Sequence, residues 1–130
     1  MHDFRWPALV TLGVVVLLFV MAWNVGRARV KFGINAPATT GHADFERAFR
    51  VQMNTLENTL MFLPALWVFS AYINGIWAAA LGVVWLAARA WYSIAYQQAA
   101  ARRGPPFGLS MLVIVVLVLG GAWGVVRTLH

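Results

Sequence analysis

The chain has 130 residues, of which 62% are hydrophobic and only 11% charged, and it contains no cysteine. Soluble domains carry roughly a quarter charged residues, so a disordered chain, a disulfide scaffold and an ordinary water-soluble enzyme are excluded. The net charge of +6 is dispersed between apolar blocks, whereas a nucleic-acid binder gathers its cations into a water-facing stripe.

A hydrocarbon core about 30 Å thick takes about 20 apolar residues as a helix. Ala8 to Gly26 supplies the first such run, predicting a helix over about 7–31. Its apolar stretch exceeds that of a signal peptide, and no small-x-small cleavage site follows in Trp23-Asn24-Val25-Gly26-Arg27. Gly33 to Gly41, with Pro37 between, connects it to a second helix over 43–73. Thr59 to Ile73 is short for a span and contains Pro64. Crossing therefore requires extension back through Met53, taking in Asn54, Glu57 and Asn58. Asn74-Gly75 is a tight turn. A third helix over 75–103 follows it as an antiparallel partner, with Arg89 interrupting its apolar run. Gly104-Pro105-Pro106 ends that helix and starts a fourth, over 106–128. With no internal repeat, the expectation is one domain over 1–130: an all-α integral membrane protein built as a four-transmembrane-helix bundle.

Lys and Arg mark the cytoplasmic side of such a bundle. Arg27, Arg29, Lys31, Arg47 and Arg50 surround the first connection, and Arg102 and Arg103 the third. Arg5 and Arg127 are all that the opposite side carries. Both termini are therefore expected to face away from the cytoplasm. The compact loops fit a bacterial inner membrane. Trp6, Trp23, Trp77 and Trp123 fall near span ends, as an aromatic belt does.

The chemistry lies in the hairpin of helices two and three. At 100° per residue, Arg47, Arg50, Asn54, Glu57 and Asn58 fall within about 100° of arc, and Arg89, Tyr92, Tyr96 and Arg103 within about 60°. Folding about residue 74 brings Glu57 within one turn of Arg89. A lone charge at that depth is expensive, so the two are expected to form a structural ion pair. Arginine exceeds carboxylate in the stripes, and a desolvated cleft of that kind calls for an anionic ligand. Asn54, Tyr92 and Tyr96 add hydrogen-bonding groups, and Glu57 suits an ammonium, so the complement is a small zwitterion with surplus negative charge. A purely structural reading stands beside this one: polar residues glue membrane helices together, and Arg102 and Arg103 also serve as topology signals. The histidines show no ligand spacing, and no metal site is expected.

The block Phe45-Glu46-Arg47-Ala48-Phe49-Arg50-Val51-Gln52-Met53-Asn54-Thr55-Leu56-Glu57-Asn58 resembles the signature of the MAPEG family, the membrane-associated proteins in eicosanoid and glutathione metabolism, which runs E-R-x-x-R-x-Q-x-N-x-x-E. Ala88-Arg89-Ala90-Trp91-Tyr92-Ser93-Ile94-Ala95-Tyr96, followed by Arg103, resembles the family's second block. Thr39-Thr40-Gly41 also fits. At Asn58 the chain departs from the family's usual Tyr.

The resemblance implies a homotrimer of four-helix subunits that binds glutathione, as co-substrate, between subunits near the cytoplasmic face. It implies contacts from Arg50, Asn54, Glu57, Asn58, Tyr92, Tyr96 and Arg103 of one subunit. Glu57, steadied by Arg89, would take the γ-glutamyl ammonium, Arg50 a carboxylate and Arg103 the thiol. Gln52 and Arg29 would reach a neighbour's site, with Arg27 and Lys31 as the alternatives to Arg29. Gln52 points about 160° away from Asn54, which agrees with a shared site. The catalytic pair would be Arg103 and Tyr96, holding a thiolate that attacks a lipophilic electrophile from the bilayer, by transferase or peroxidase chemistry. The alternatives are a non-catalytic lipid- or glutathione-binding protein of the same fold and a small four-helix multidrug transporter. The transporter lacks support, because Ala8 to Gly26 holds no acidic residue for proton coupling.

Overall fold

The computed structural model describes residues 3–129, so His2 and His130 lie outside the described residues. Four helices follow in order: α1 (Arg5–Phe32), α2 (Ala43–Tyr72), α3 (Gly75–Gln98) and α4 (Gly104–Val126). A short 3-10 turn, Ala100–Arg103, joins α3 to α4. The described residues contain no strand. α1, α3 and the segment Ala101–Val126 are each long and apolar enough to cross a membrane. α2 is more polar but just as long: its 30 residues extend about 45 Å. It packs against all three other helices, and this shelters its polar groups.

Local chemistry sets the helix ends. Gly33, at φ 66°, closes α1 in the left-handed conformation that glycine adopts without a Cβ clash, and its N–H donates to the Arg29 carbonyl. The His42 ring accepts the Asp44 N–H at 3.1 Å at the start of α2, where Asp44 and Glu46 complement the helix dipole. Asn74 Oδ1 accepts the N–H groups of Ile76 and Trp77 at 2.8 and 3.0 Å, so one side chain both makes the tight turn and caps α3. Arg127, past the end of α4, donates to the Tyr72 carbonyl at 3.0 Å and satisfies the C-terminus of α2.

All four helices contribute to the core: Val14, Phe62, Leu66, Trp85 and Leu117 are fully buried. Phe62 stacks on Trp85 with ring centroids 4.1 Å apart. The outer flanks are apolar as well, with Phe19, Leu60, Trp77, Leu119 and Trp123 exposed, which is the surface that lipid covers. Close helix approach depends on small residues, as in other membrane bundles. α4 lays Gly120, Gly121 and Gly124 against the α2 residues Phe69, Val68 and Tyr72.

The third helix stops short of the expected residue 103. Ala99 is extended, at φ −161° and ψ 126°, and the 3-10 turn follows. The prolines explain why α3 cannot run straight into α4. Pro105 and Pro106 have no N–H to give to the carbonyls of Ala101 and Arg102, whereas they fit the first turn of a new helix, where they sit.

Gly82 offers a test of this packing. A Cβ there would meet Val10 Cγ1 at 2.7 Å and the Phe62 ring at 3.4 Å. Gly82→Ala is expected to destabilise the bundle by about 1–3 kcal/mol, read as a lower midpoint of thermal unfolding in detergent. An unchanged midpoint would show that α1 shifts away at no cost.

Candidate functional site

The site is built outward from Arg89 on α3, which is 0% exposed. The expected ion pair with Glu57 does not form. Arg89 Nη2 donates to Asn54 Oδ1 at 2.6 Å and to Thr55 Oγ1 at 2.8 Å, and Nε donates to Thr55 Oγ1 at 3.3 Å. Nη1 reaches Ser110 Oγ on α4 at 3.1 Å. The guanidinium carbon lies 4.1 Å from the Tyr92 ring centroid. The reason is azimuth rather than depth. Thr55 faces the interior, and Glu57 lies about 160° further round α2, on an exposed flank. Arg89 is thus a buried cation held by neutral acceptors.

Beside it, Arg50, Met53, Asn54, Glu57, Tyr92, Tyr96 and Arg103 line an open cleft of about 540 Å³. α2 supplies the first four, α3 the tyrosines, and the 3-10 turn Arg103. Tyr92 and Tyr96 tilt against each other with centroids 5.6 Å apart. The Arg103 guanidinium carbon sits 5.4 Å from the Tyr96 ring centroid. Arg50 and Arg103, far apart in sequence, therefore share one hollow.

The electrostatics are lopsided. Two guanidinium groups, Arg50 and Arg103, line the cleft with a single carboxylate, Glu57. Arg89 adds a further positive charge from behind Asn54 and Tyr92, in surroundings that screen it less than water does. Because Asn54 spends its oxygen on Arg89, its amide N–H groups are what remains to donate. The cleft suits a small molecule with several acceptor oxygens, a net negative charge and one ammonium opposite Glu57.

Asn58, expected at this site, stands elsewhere, while Arg29 and Gln52, expected to reach a neighbouring subunit's site, lie away from this cleft. Asn58 is 2% exposed. Its Oδ1 accepts from Trp85 Nε1 at 2.7 Å, and its Nδ2 meets Met111 Sδ at 3.2 Å. One step of 100° beyond Glu57 turns it into the core, where the buried indole N–H needs an acceptor. Arg29 donates to the Ala38 carbonyl at 2.8 Å and lies over the Phe45 ring, pinning the first connection to α1 and α2. Gln52 is half-buried on α2 and does not line the cleft. Sequence reasoning missed Thr55 and Ser110, the hydroxyls that hold Arg89. Their signal was a polar residue inside an apolar span, which is weak because such hydroxyls also bond their own helix, as Ser70 does to the Leu66 carbonyl.

Fold and cleft together define a helical integral membrane protein with an arginine-lined cleft between α2 and α3. The sequence signature of the MAPEG family matches residues 7–130, and the chain belongs to that family. It is 38% identical to human microsomal glutathione S-transferase 2 over 107 residues, which cover 82% of this chain and 73% of that protein. It is 37% identical to bovine leukotriene C4 synthase over 117 residues, 90% of this chain and 78% of that one. An uncharacterised protein of Synechocystis is 49% identical over 118 residues, 91% of this chain and 86% of the other.

The Asn58–Trp85 bond separates core from site. Asn58→Leu strands the buried indole N–H and is expected to lower stability by about 1–3 kcal/mol. The double variant Asn58→Leu/Trp85→Phe, with both polar partners gone, should recover part of that loss in thermal unfolding. Additive losses would mean that the bond carries no coupling.

Proposed function

We propose that this chain is a membrane-bound glutathione transferase that activates the glutathione thiol and conjugates it to lipophilic electrophiles reaching it through the bilayer. The observation that carries this reading is the single cleft lined by Arg50, Asn54, Glu57, Tyr92, Tyr96 and Arg103. Glutathione is a tripeptide with two carboxylates, one ammonium and one thiol, and the cleft offers groups of matching type. Relatives named as a glutathione S-transferase and as leukotriene C4 synthase support the same substrate class.

In this reading Glu57 takes the ammonium and Arg50 a carboxylate, while Asn54 donates to a second acceptor. Arg89 acts from behind: it fixes the Asn54 amide and favours an anion without touching it. Arg29 and Gln52, which stand away from the cleft, serve a neighbouring subunit of a homotrimer. The termini lie on the non-cytoplasmic side of a bacterial inner membrane, so that the cationic end meets cytoplasmic glutathione.

The chain has no thiol of its own, so the sulfur nucleophile must be the ligand's. A free thiol titrates near pH 8.5. Lowering that by two units requires about 2.7 kcal/mol of differential stabilisation. One guanidinium about 4 Å from the sulfur, at an effective dielectric near 20, contributes about 4 kcal/mol before desolvation. Arg103 is sufficient for this, with the Tyr96 hydroxyl as a second donor. The proton leaves to water, and no general base is required. The thiolate then attacks the electrophile and displaces its leaving group or opens its ring. A hydroperoxide would meet the same thiolate.

The test is the thiolate's ultraviolet absorbance on adding glutathione to the detergent-solubilised protein, followed against pH. The band should dominate at pH 7 and fall to half near pH 6.5, two units under the free thiol's value of about 8.5. Arg103→Ala should move the titration back toward pH 8.5 and cut turnover at pH 7 roughly tenfold or more, with glutathione still bound. Glu57→Gln should instead weaken binding in isothermal titration. A titration that Arg103→Ala leaves in place would remove Arg103 as the activator.

A further inference from the structure

A second basic cleft lies between α1 and α2, with Gln97 of α3 at its edge, and it shares no residue with the cleft described above. Its volume of about 480 Å³ falls within the roughly 300–1,000 Å³ that holds small ligands. Helix spacing builds its walls. α1 contributes Asn24, Arg27, Ala28 and Lys31, at i, i+3, i+4 and i+7, and α2 contributes Asp44, Arg47 and Ala48, at i, i+3 and i+4. Each helix thus sets one alanine among longer polar side chains, and the hollow lies over the alanines. Lys31 is one residue from the end of α1, Asp44 one from the start of α2 and Gln97 one from the end of α3. The cleft therefore sits where these helices emerge from the hydrocarbon.

The charges inside it do not balance. Asp44 is the one carboxylate lining the cleft, and Arg47 engages it at 3.6 Å. Arg27 and Lys31 have no carboxylate partner among the described residues. They stand about 6 Å apart along one face of α1, where like charges repel. Basic residues at a span end also serve topology, and Lys31 complements the C-terminus of α1. Neither account requires Arg47 and two amides to converge on the same hollow.

We infer that this cleft is a binding site for a soluble phosphate monoester, separate from the site between α2 and α3. Such an ester concentrates about two negative charges on one group at neutral pH, which matches two unpaired cations one turn apart. Arg27 offers a planar fork to two of its oxygens, and Lys31 a point charge to the third. Asn24 and Gln97 add neutral donors, and the Ala28 and Ala48 methyls give the organic part an apolar floor. A dicarboxylate divides the same charge between two ends and fits the pair less well.

The test titrates glycerol phosphate into the full chain, purified in a neutral detergent, by isothermal calorimetry at fixed ionic strength and about pH 7.5, where the ester is a dianion. One saturable site per chain is expected. Arg27 and Lys31 are exposed, so Arg27→Gln/Lys31→Gln keeps the fold and should weaken binding roughly tenfold or more. Gln97→Ala changes no charge and should weaken it about threefold, as a built site requires and a diffuse positive field does not. Asp44→Asn releases Arg47 and should tighten it. Arg50→Gln in the other cleft, and Arg102→Gln outside both, should leave it unchanged. Full affinity in Arg27→Gln/Lys31→Gln would overturn the assignment. Loss of binding in Arg50→Gln, or displacement of the ester by glutathione, would place it in the other cleft and overturn the assignment as well. Equal affinity for succinate would overturn the monoester, and equal affinity for glycerophosphocholine, a soluble phospholipid headgroup, would assign the cations to the bilayer instead.

Discussion

The structure depends on a guanidinium buried without a carboxylate. Arg89 is enclosed by α2, α3 and α4, and every hydrogen bond it donates goes to a neutral oxygen: Asn54, Thr55 or Ser110. An ion pair at that point would cancel its field. Neutral acceptors satisfy its N–H groups and leave its charge to act on the space next door. The same side chain thus ties three helices together and biases the adjacent cleft toward anions. Structure and chemistry are inseparable at this residue, because the bond that orders the bundle is also the one that sets the Asn54 amide.

α2 makes this possible. Its polar residues would be costly on a helix facing lipid all round, but it packs against α1, α3 and α4, and its azimuth divides the work. Going round from the interior, Thr55 and Asn58 bond inside the bundle, Asn54 stands at the border, and Arg50 and Glu57 open into the cleft. The far end of the bundle is closed by small residues and by caps. Gly120, Gly121 and Gly124 admit α2 closely, Asn74 ties the turn, and Arg127 caps the Tyr72 carbonyl at the end of α2. Rigidity is concentrated away from the cleft and openness around it.

Much of this was legible in the residues. Hydrophobic runs and Gly-Pro punctuation located four helices, because lipid demands length and internal hydrogen bonding. Counting in 100° steps gathered Arg50, Asn54, Glu57, Tyr92 and Tyr96 as candidates, and the structure brings these together. The same count could not orient the arc. Glu57 and Asn58 lie at opposite ends of it, and only the partner decides which end turns inward. That partner is the Trp85 indole, and nothing in the local sequence announces it. The depth estimate for Glu57 and Arg89 was sound as a level, yet level without azimuth does not make a contact. Arg103 illustrates the converse. It shares the cleft, but across a break at Ala99 that helical periodicity does not register.

That break gives Arg103 a different kind of support from its neighbours. Asn54 and Tyr92 ride on long, lipid-clamped rods, whereas Arg103 rides on a joint of four residues. Each residue of that joint turns the chain about 120° and advances it about 2 Å. Adding or losing one would swing the arginine to a new bearing against the tyrosines of α3 and would turn the start of α4 with it. The length of one short linker at the rim therefore ties the aim of a single side chain to the seat of a whole helix on α2 and α3.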